Sequence, residues 1–159
     1  REGVSIANYN CPGQIVITGE ADAVAEAGTV LKEAGARRVL PLKVSGPFHS
    51  PMMRPAGEEL AKVFARVSMN PLKIPYVANI NAEVITDCGR IEGLLVEQVS
   101  GSVRWQQSVE TMIREGVDTF VEIGPGKTLT GFLRKIDKNV KAYHIGSWEE
   151  AVQVCEELK

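Results

Sequence analysis

From Pro51 to the end of the chain, helix-type and strand-type patterns alternate, and this alternation limits the possible folds more than any other feature. Strands that alternate with helices form a largely parallel sheet with helices on its faces, whose ligands gather at the carboxyl ends of the strands. We therefore expect an α/β fold. Apolar periodicity predicts helices from Pro51, over 91–99, 103–114 and 128–136, and after Ser147, and β-rich runs predict strands over 73–78, 119–123 and 140–145.

The first 45 residues show a different order of patterns. Residues 4–8 and 14–18 are β-rich and are separated by the turn signal Cys11-Pro12-Gly13. A helix is predicted over 21–34, with Gly35 as its stop, and a third strand over 38–44. This order is one strand and one helix short of a βαββαβ ferredoxin-like unit. We therefore divide the chain into an incomplete ferredoxin-like α+β subdomain, 1–45, and a larger α/β subdomain, 46–159.

Composition argues against several classes of protein. The 159 residues are 44% hydrophobic and 24% charged, with a formal net charge of -2, as in ordinary globular domains. Basic residues are spread along the chain, so we expect neither a nucleic acid nor a membrane as partner. The three cysteines form no Cys-x-x-Cys pair, which argues against a zinc site and a disulfide framework. We expect a cytoplasmic protein that binds no metal.

One of the two histidines lies directly before a helix start. In Gly46-Pro47-Phe48-His49-Ser50-Pro51, Ser50 is a typical N-cap and Pro51 a typical first helical residue. The positive end of the helix dipole disfavours an imidazolium here and favours a neutral ring. His49 is therefore either a catalytic base or a loop histidine with a structural hydrogen bond. His144 lies in an apolar strand pattern, and we expect it to be structural.

No motif in this sequence supplies the nucleophile that such a base would activate. No Gly-x-Ser-x-Gly elbow is present to expose a serine. Cys11 has no neighbouring histidine or basic cluster, so we do not expect it to act as a nucleophile. The chain also starts at Arg1 rather than at a methionine. We therefore expect the nucleophile to lie on sequence outside this chain.

Two turn segments carry polar groups that could serve a site. Asn8 and Asn10 lie at a strand-to-turn junction, where they either line a pocket or bond to the nearby backbone. Residues 124–128, Gly-Pro-Gly-Lys-Thr, stand between a strand and a helix, where backbone amides can hold a phosphate. This is not a Walker loop, because that motif requires glycine where the chain has Val121. A tight turn close to an active site is the other use of this segment.

Four motifs resemble, in the same order, the C-terminal half of the malonyl-CoA:acyl carrier protein transacylase family. They are Asn8-Tyr9-Asn10-Cys11-Pro12-Gly13-Gln14, Gly46-Pro47-Phe48-His49-Ser50, Val103-Arg104-Trp105 and Glu122-Ile123-Gly124-Pro125-Gly126-Lys127-Thr128-Leu129-Thr130-Gly131. The resemblance covers essentially the whole chain. It implies an α/β-hydrolase-like parallel-sheet domain with a ferredoxin-like small subdomain, both incomplete here, and acyl transfer by serine and histidine.

The resemblance also implies roles for individual residues. His49 would be the catalytic histidine, and the backbone carbonyl of Gln98 would accept its hydrogen bond, so that the side chain at 98 tolerates substitution. Asn8 and Asn10 would contact the acyl or pantetheine portion of the substrate. Phe48 would leave little space for an α-methyl group and so favour malonyl over methylmalonyl. The implied partners are malonyl-CoA, as substrate rather than cofactor, and acyl carrier protein.

Departures from the family pattern limit what this chain would do alone. The family's serine elbow, an oxyanion-hole glutamine and the arginine for the malonyl carboxylate all precede the region that resembles this chain. The chain alone is therefore expected to be inactive, with the N-terminal half of the same enzyme as a required partner. Ser102 also stands where a proline often precedes Val103-Arg104-Trp105, which affects the expected shape of the turn.

Other functions stay open on the sequence alone. The chain could be a non-catalytic module that binds acyl carrier protein or coenzyme A, or a fragment of a polyketide-type acyltransferase. It could also be an unrelated nucleotide-phosphate binder that uses residues 124–128. Loss of binding in Lys127→Ala would support that last hypothesis, whereas the favoured one requires His49.

Overall fold

The computed structural model describes residues 2–159, in which single helices and single strands alternate from Trp105 onward. The helices are α1 (Ala21–Glu33), α2 (Arg54–Phe64), α3 (Ile91–Ser100), α4 (Trp105–Arg114), α5 (Thr128–Ile136) and α6 (Trp148–Glu157). The strands are β1 (Val4–Cys11), β2 (Gln14–Gly19), β3 (Tyr76–Val77), β4 (Val84–Ile85), β5 (Thr119–Ile123) and β6 (Lys141–Ile145). The chain is therefore a mixed α/β protein.

The N-terminal hairpin forms where the sequence predicts it. Strands β1 and β2 pair antiparallel, with Cys11 opposite Gln14 across a two-residue turn. Gly13 in that turn has a φ of 77°, a left-handed conformation that glycine adopts readily. Strand β1 runs three residues beyond the predicted 4–8, and two register shifts interrupt its pairing. Helix α1 follows and ends before Gly35, as predicted.

The predicted strand over 38–44 is wrong. The described residues contain no strand there, and every side chain of the segment is exposed. Leu40, Leu42 and Val44 are between 60% and 64% exposed. A strand is stabilised by backbone bonds to a neighbour, and the hydrogen bond that Val44 N–H donates goes only to the nearby Leu42 carbonyl. Apolar alternation alone therefore leaves this segment irregular.

The helix predicted from Pro51 begins with a short 3₁₀ turn, Pro51–Met53, and continues as α2 from Arg54. Ser50 is the N-cap, as predicted, because its hydroxyl accepts a hydrogen bond from the N–H of Met52 at 3.3 Å. Helix α2 packs on α3. At the contact, a Cβ on Gly57 would lie 3.1 Å from the Val96 carbonyl, so glycine lets the two helices approach closely.

Only part of the expected parallel sheet is present among residues 2–159. Strands β5 and β6 pair in parallel over all five positions, in agreement with the predicted strands. The strand expected over 73–78 is reduced to β3, which pairs antiparallel with β4, a strand that no sequence pattern predicted. Pro75 lies inside the expected strand and has no N–H to donate, which accounts for the shortening.

The N-terminal hairpin is attached to the rest of the chain at residues 102–103. Val103 N–H donates to the Ala7 carbonyl at 2.7 Å, and Tyr9 N–H donates to the Val103 carbonyl at 2.9 Å. The Ser102 hydroxyl donates to the Ile6 carbonyl. Helices α4 and α5 also pack on β1, where Ala7 is buried. These contacts cross the proposed division between residues 45 and 46, which stays a prediction.

The buried residues are concentrated around β1, α4, α5 and the β3–β4 pair. Ile85 and Val109 have no exposed surface, and Cys11 is 2% exposed. None of the helices within residues 2–159 has the length and apolar content needed to cross a membrane.

Candidate active site around His49

His49 lies in a loop whose shape is held by its neighbour. Ser50 is 1% exposed, and its hydroxyl donates a hydrogen bond to the Pro47 carbonyl at 2.7 Å while it caps the following turn. His49 itself has a φ of 59°, a left-handed conformation that is uncommon for a residue with a side chain. Such strain persists only where the surrounding contacts enforce it, and it is concentrated at functional sites.

The imidazole of His49 contacts the C-terminal end of α3. Its Nδ1 lies 3.1 Å from the backbone carbonyl oxygen of Gln98. The oxygen only accepts, so this hydrogen bond requires a proton on Nδ1; in the neutral form of the ring the lone pair is then on Nε2. An imidazole in this form can accept a proton from a substrate or nucleophile.

The end of α3 explains why a backbone oxygen is free for this contact. The last four carbonyls of a helix lack the N–H partner that a further turn would supply. Gly101 N–H bonds to the Glu97 carbonyl at 2.9 Å, and α3 ends at Ser100. The Gln98 carbonyl belongs to this last turn, so it can accept from His49 without disrupting the helix.

The other candidate residues take no part in this contact. Asn8 lies in β1 opposite Val16. It also pairs with Val103 in an isolated parallel β-bridge, and Val103 is five residues after Gln98 in the chain. Asn10 lies at the second register shift of β1, and both asparagines are half-buried. Among residues 2–159, neither asparagine amide hydrogen-bonds to His49. Phe48 precedes the histidine directly and is 48% exposed.

Ser102 has a specific contact in place of the proline expected at this position. Its hydroxyl donates to the Ile6 carbonyl of β1, a bond that proline cannot make. Together with the Val103 bonds, it fixes the loop between α3 and α4 to the strand that carries Asn8 and Asn10. One connection therefore joins the turn that orients His49 to the asparagine-bearing strand.

The loop at 124–128 is organised by Glu122, a residue to which the sequence analysis gave no role. Its carboxylate accepts bonds from Leu129 N–H at 3.0 Å, Thr130 N–H at 2.7 Å and the Thr130 hydroxyl at 2.6 Å. Burial opposes ionisation, but these bonds outweigh it and hold the pKa of Glu122 below its usual value of 4.5. The start of α5 thus binds the protein's own carboxylate, which leaves these two amides unavailable to a phosphate.

His144 contacts the turn after β5 and the first turn of α6, which follows β6. Its Nε2 lies 2.9 Å from the Gly124 carbonyl, and its Nδ1 lies 3.4 Å from a Glu150 oxygen. Glu150 also accepts a hydrogen bond from Gly146 N–H at 2.6 Å, which is the main cause of its lowered pKa. This is the structural role predicted for His144. It lies beside α6 and shares no contact with the His49 loop.

His49 is half-buried and lies outside the cavities of the structure. A cavity of about 70 Å³ lies between α4, α5, β5 and β6, and a shallower space of about 240 Å³ lies beside α5 and α6. His49 lines neither of them. The described part of the chain also holds no group of three or more His, Cys, Asp or Glu side chains able to bind a metal.

Residues 1–154 match the profile of the acyl transferase domain. The chain belongs to this family. It is 42% identical over 156 residues to the malonyl CoA-acyl carrier protein transacylase of Bacillus subtilis, covering 98% of the chain and 49% of that protein. The enzyme of the same name from Escherichia coli K12 is 44% identical over 133 residues, which are 84% of this chain and 43% of that protein.

Solved structures agree with the assignment to the acyl transferase domain family. The MCAT of Streptococcus pneumoniae matches with a TM-score of 0.92 and 44% identity, over 98% of this chain and 51% of that one. A malonyl-transacylase in complex with a type II PKS acyl-carrier protein matches with a TM-score of 0.93 and 38% identity, over 97% and 50%. The chain spans about half the length of these relatives and corresponds to their C-terminal part.

Proposed function

We propose that this chain is the histidine-bearing part of a malonyl-CoA:acyl carrier protein transacylase of fatty acid synthesis. The observation that carries the proposal is the contact between His49 Nδ1 and the Gln98 carbonyl. It presents Nε2 as a base in a chain of the acyl transferase domain family. The names of the relatives supply the malonyl donor and the carrier-protein acceptor.

In the proposed reaction, His49 Nε2 takes the proton of a serine hydroxyl that lies outside this chain. The serine oxygen attacks the thioester carbonyl of malonyl-CoA, and the C–S bond breaks. The coenzyme A thiol leaves with the proton from the imidazolium. The pantetheine thiol of acyl carrier protein then gives its proton to Nε2 and attacks the malonyl-serine ester, and the serine oxygen leaves with the proton from the imidazolium. The Gln98 carbonyl keeps the ring oriented through both halves of the reaction.

The other candidate residues have supporting roles in this proposal. Asn8 and Asn10 face the acyl or pantetheine portion from the N-terminal hairpin, which Val103 attaches beside the α3–α4 loop. Phe48 restricts the space beside His49 and favours malonyl over methylmalonyl. Comparable turnover of methylmalonyl-CoA would contradict that specificity.

The proposed enzyme is completed by an N-terminal half that carries the serine. In it, residues 46–159 complete an α/β-hydrolase-like domain and residues 1–45 complete a ferredoxin-like subdomain. Phe48 beside His49 and the apolar side chains of segment 38–44 are exposed, and such a half would cover them. No cofactor enters the proposed chemistry, and a cytoplasmic location stays a prediction.

The test is a fusion of this chain to the N-terminal part of the Bacillus subtilis relative, assayed for malonyl transfer from malonyl-CoA to acyl carrier protein. We expect transfer by the fusion, none by this chain alone, and a loss of at least about 10³-fold in kcat for His49→Ala. Cys155→Ala removes an exposed thiol and is the control, because adventitious acylation of that thiol would imitate transfer.

Each other outcome points to a different function. A folded fusion that binds malonyl-CoA or acyl carrier protein equally well with and without His49, and transfers nothing, would indicate a non-catalytic binding module. Activity in this chain alone would contradict the inference that the nucleophile lies elsewhere.

A further inference from the structure

An extra residue interrupts the pairing of β1 with β2 at Ala7. Ile6 lies opposite Ile17 and Asn8 lies opposite Val16, so two steps along β1 match one step along β2. A bulge of this kind bends the strand and changes the direction of the side chains beside it. The backbone at Ala7 therefore decides how Asn8, the next residue, is presented.

The loop between α3 and α4 binds the backbone on both sides of this bulge. The Ser102 hydroxyl donates a hydrogen bond to the Ile6 carbonyl. Val103 N–H donates to the Ala7 carbonyl at 2.7 Å, and Tyr9 N–H donates to the Val103 carbonyl at 2.9 Å. Of these three bonds, the one from Ser102 depends on a side chain, so a substitution can remove it and keep the other two.

The α3–α4 loop is itself fixed to other parts of the chain. Arg104 N–H donates to the Asn79 carbonyl at 2.8 Å. A Cβ on Gly101 would overlap the Ile80 side chain, so glycine lets the loop lie close to that residue. The loop is therefore a fixed support on which the bulged part of β1 is held.

Serine at this position constrains the structure in a way that proline does not. Proline, which the family resemblance leads us to expect at 102, fixes φ and has no hydroxyl. Serine leaves φ freer, and its bond to Ile6 supplies a constraint instead. The bond is partly buried, so removal of the hydroxyl would leave the Ile6 carbonyl without this partner.

We propose that Ser102 is a positioning residue for substrate binding, because its hydroxyl fixes the bulge that presents Asn8. The inference rests on the proposed function, in which Asn8 contacts the acyl or pantetheine portion of the substrate. The role of Ser102 is separate from the proton transfers at His49. Loss of the hydroxyl should therefore weaken substrate binding and leave the chemical step unchanged.

The first test is hydrogen exchange of the backbone amides of this chain, followed by NMR. In Ser102→Ala, we expect the Tyr9 and Val103 amides to exchange about five- to tenfold faster, because loss of one hydrogen bond favours local opening. Ser102→Thr keeps the hydroxyl and should retain the exchange rates of the parent chain. Unchanged rates in Ser102→Ala would overturn the proposal.

Ser147→Ala is the matched control for this measurement. It removes the same group from the N-cap of α6, where the Ser147 oxygen accepts from Glu150 N–H at 3.2 Å. Loss of a cap lowers stability, but we expect the Tyr9 and Val103 amides to keep their exchange rates. Equal acceleration in Ser102→Ala and Ser147→Ala would indicate general destabilisation instead of a local anchor and would overturn the proposal.

The fusion enzyme tests the link from the anchor to substrate binding. In Ser102→Ala, we expect KM for malonyl-CoA to rise about fivefold and kcat to stay within about twofold of the parent fusion. General destabilisation would instead lower kcat through a smaller folded fraction. An unchanged KM would overturn the proposal.

A double substitution tests whether Ser102 acts through Asn8. In a fusion that already carries Asn8→Ala, Ser102→Ala should raise KM no further, because both substitutions remove the same contact to the substrate. An equal rise of KM with and without the Asn8 side chain would overturn the proposal. If the parent fusion transfers no malonyl, the proposed function fails, whereas hydrogen exchange still decides whether Ser102 holds the strand.

Discussion

At the scale of single residues, Glu122 organises a turn that no local pattern explains. It stands in β5, yet its carboxylate accepts from two amides in the first turn of α5, seven and eight residues later. A negative charge at the start of a helix is favourable, because it offsets the partial positive charge of unpaired N–H groups. The lowered pKa of Glu122 has the same origin.

We expect Glu122→Gln to lower the free energy of unfolding by about 1–2 kcal/mol at neutral pH, because a neutral amide is the weaker acceptor. The pKa of Glu122 is lower in the folded state than its usual 4.5. Its contribution is therefore fully present above pH 4.5 and is lost as the pH falls through the folded-state pKa. Urea unfolding curves of parent and variant should converge in acid.

Glu58→Gln is the control for this effect, since Glu58 is exposed on α2. We expect it to leave stability unchanged across the same pH range. A stability gap for Glu122→Gln that persists unchanged in acid would contradict the assignment.

The residues of the candidate site differ in how far the sequence predicts them. His49 stands out because a serine cap and a proline mark the helix start beside it. Gln98 is 49 residues away and carries no local signal, so only the family resemblance pointed to its backbone carbonyl. Its contact with His49 follows from how α3 ends against the His49 loop. The pairing of Glu122 with Thr130 likewise depends on how β5 and α5 meet.

At the scale of elements, the α2–α3 contact depends on one glycine. In an open helix, replacing glycine with alanine stabilises by about 0.5–1 kcal/mol. At Gly57 the added Cβ would lie 3.1 Å from the Val96 carbonyl of α3. We expect Gly57→Ala to lower the free energy of unfolding by about 1–3 kcal/mol instead, because the helices must separate.

Gly93 on α3 is the matched control, since its added Cβ would meet nothing within 4 Å. Gly93→Ala should raise the thermal unfolding midpoint, whereas Gly57→Ala should lower it. A raised midpoint in both variants would show that helix propensity, rather than the α2–α3 approach, decides the outcome at Gly57.

Elements with strong local patterns were predictable, and those that depend on distant partners were not. Helix α5 and strand β5 have the predicted bounds, because apolar periodicity and flanking glycines define them locally. The segment 38–44 has the alternation of a strand but pairs with no strand in the described residues. Strand β4 has two residues, too few for any pattern to be visible.

At the scale of the whole molecule, the exposed apolar side chains of 38–44 bear on how the chain behaves in solution. Contiguous exposed apolar surface promotes association. We expect this chain to self-associate with rising concentration in sedimentation experiments. Replacing Leu40 and Leu42 together with lysine should shift it towards the monomer.

Leu158→Lys tests whether the association depends on 38–44 specifically. Leu158 is also 47% exposed, but it lies after α6. The substitution should leave the association unchanged. Equal effects of the two sets of substitutions would indicate general loss of hydrophobic surface rather than a defined contact through 38–44.

The attachment of β1 at residues 102–103 also sets the order in which the protein can be assembled. The Ser102–Ile6 bond joins residues 96 positions apart. Ribosomes add about 5–20 residues per second, so residues 102–103 are synthesised on the order of ten seconds after the hairpin that they bind. Closing so long a loop is also entropically costly and slows folding. The asparagine-bearing strand is therefore made early and reaches its place beside the histidine site late.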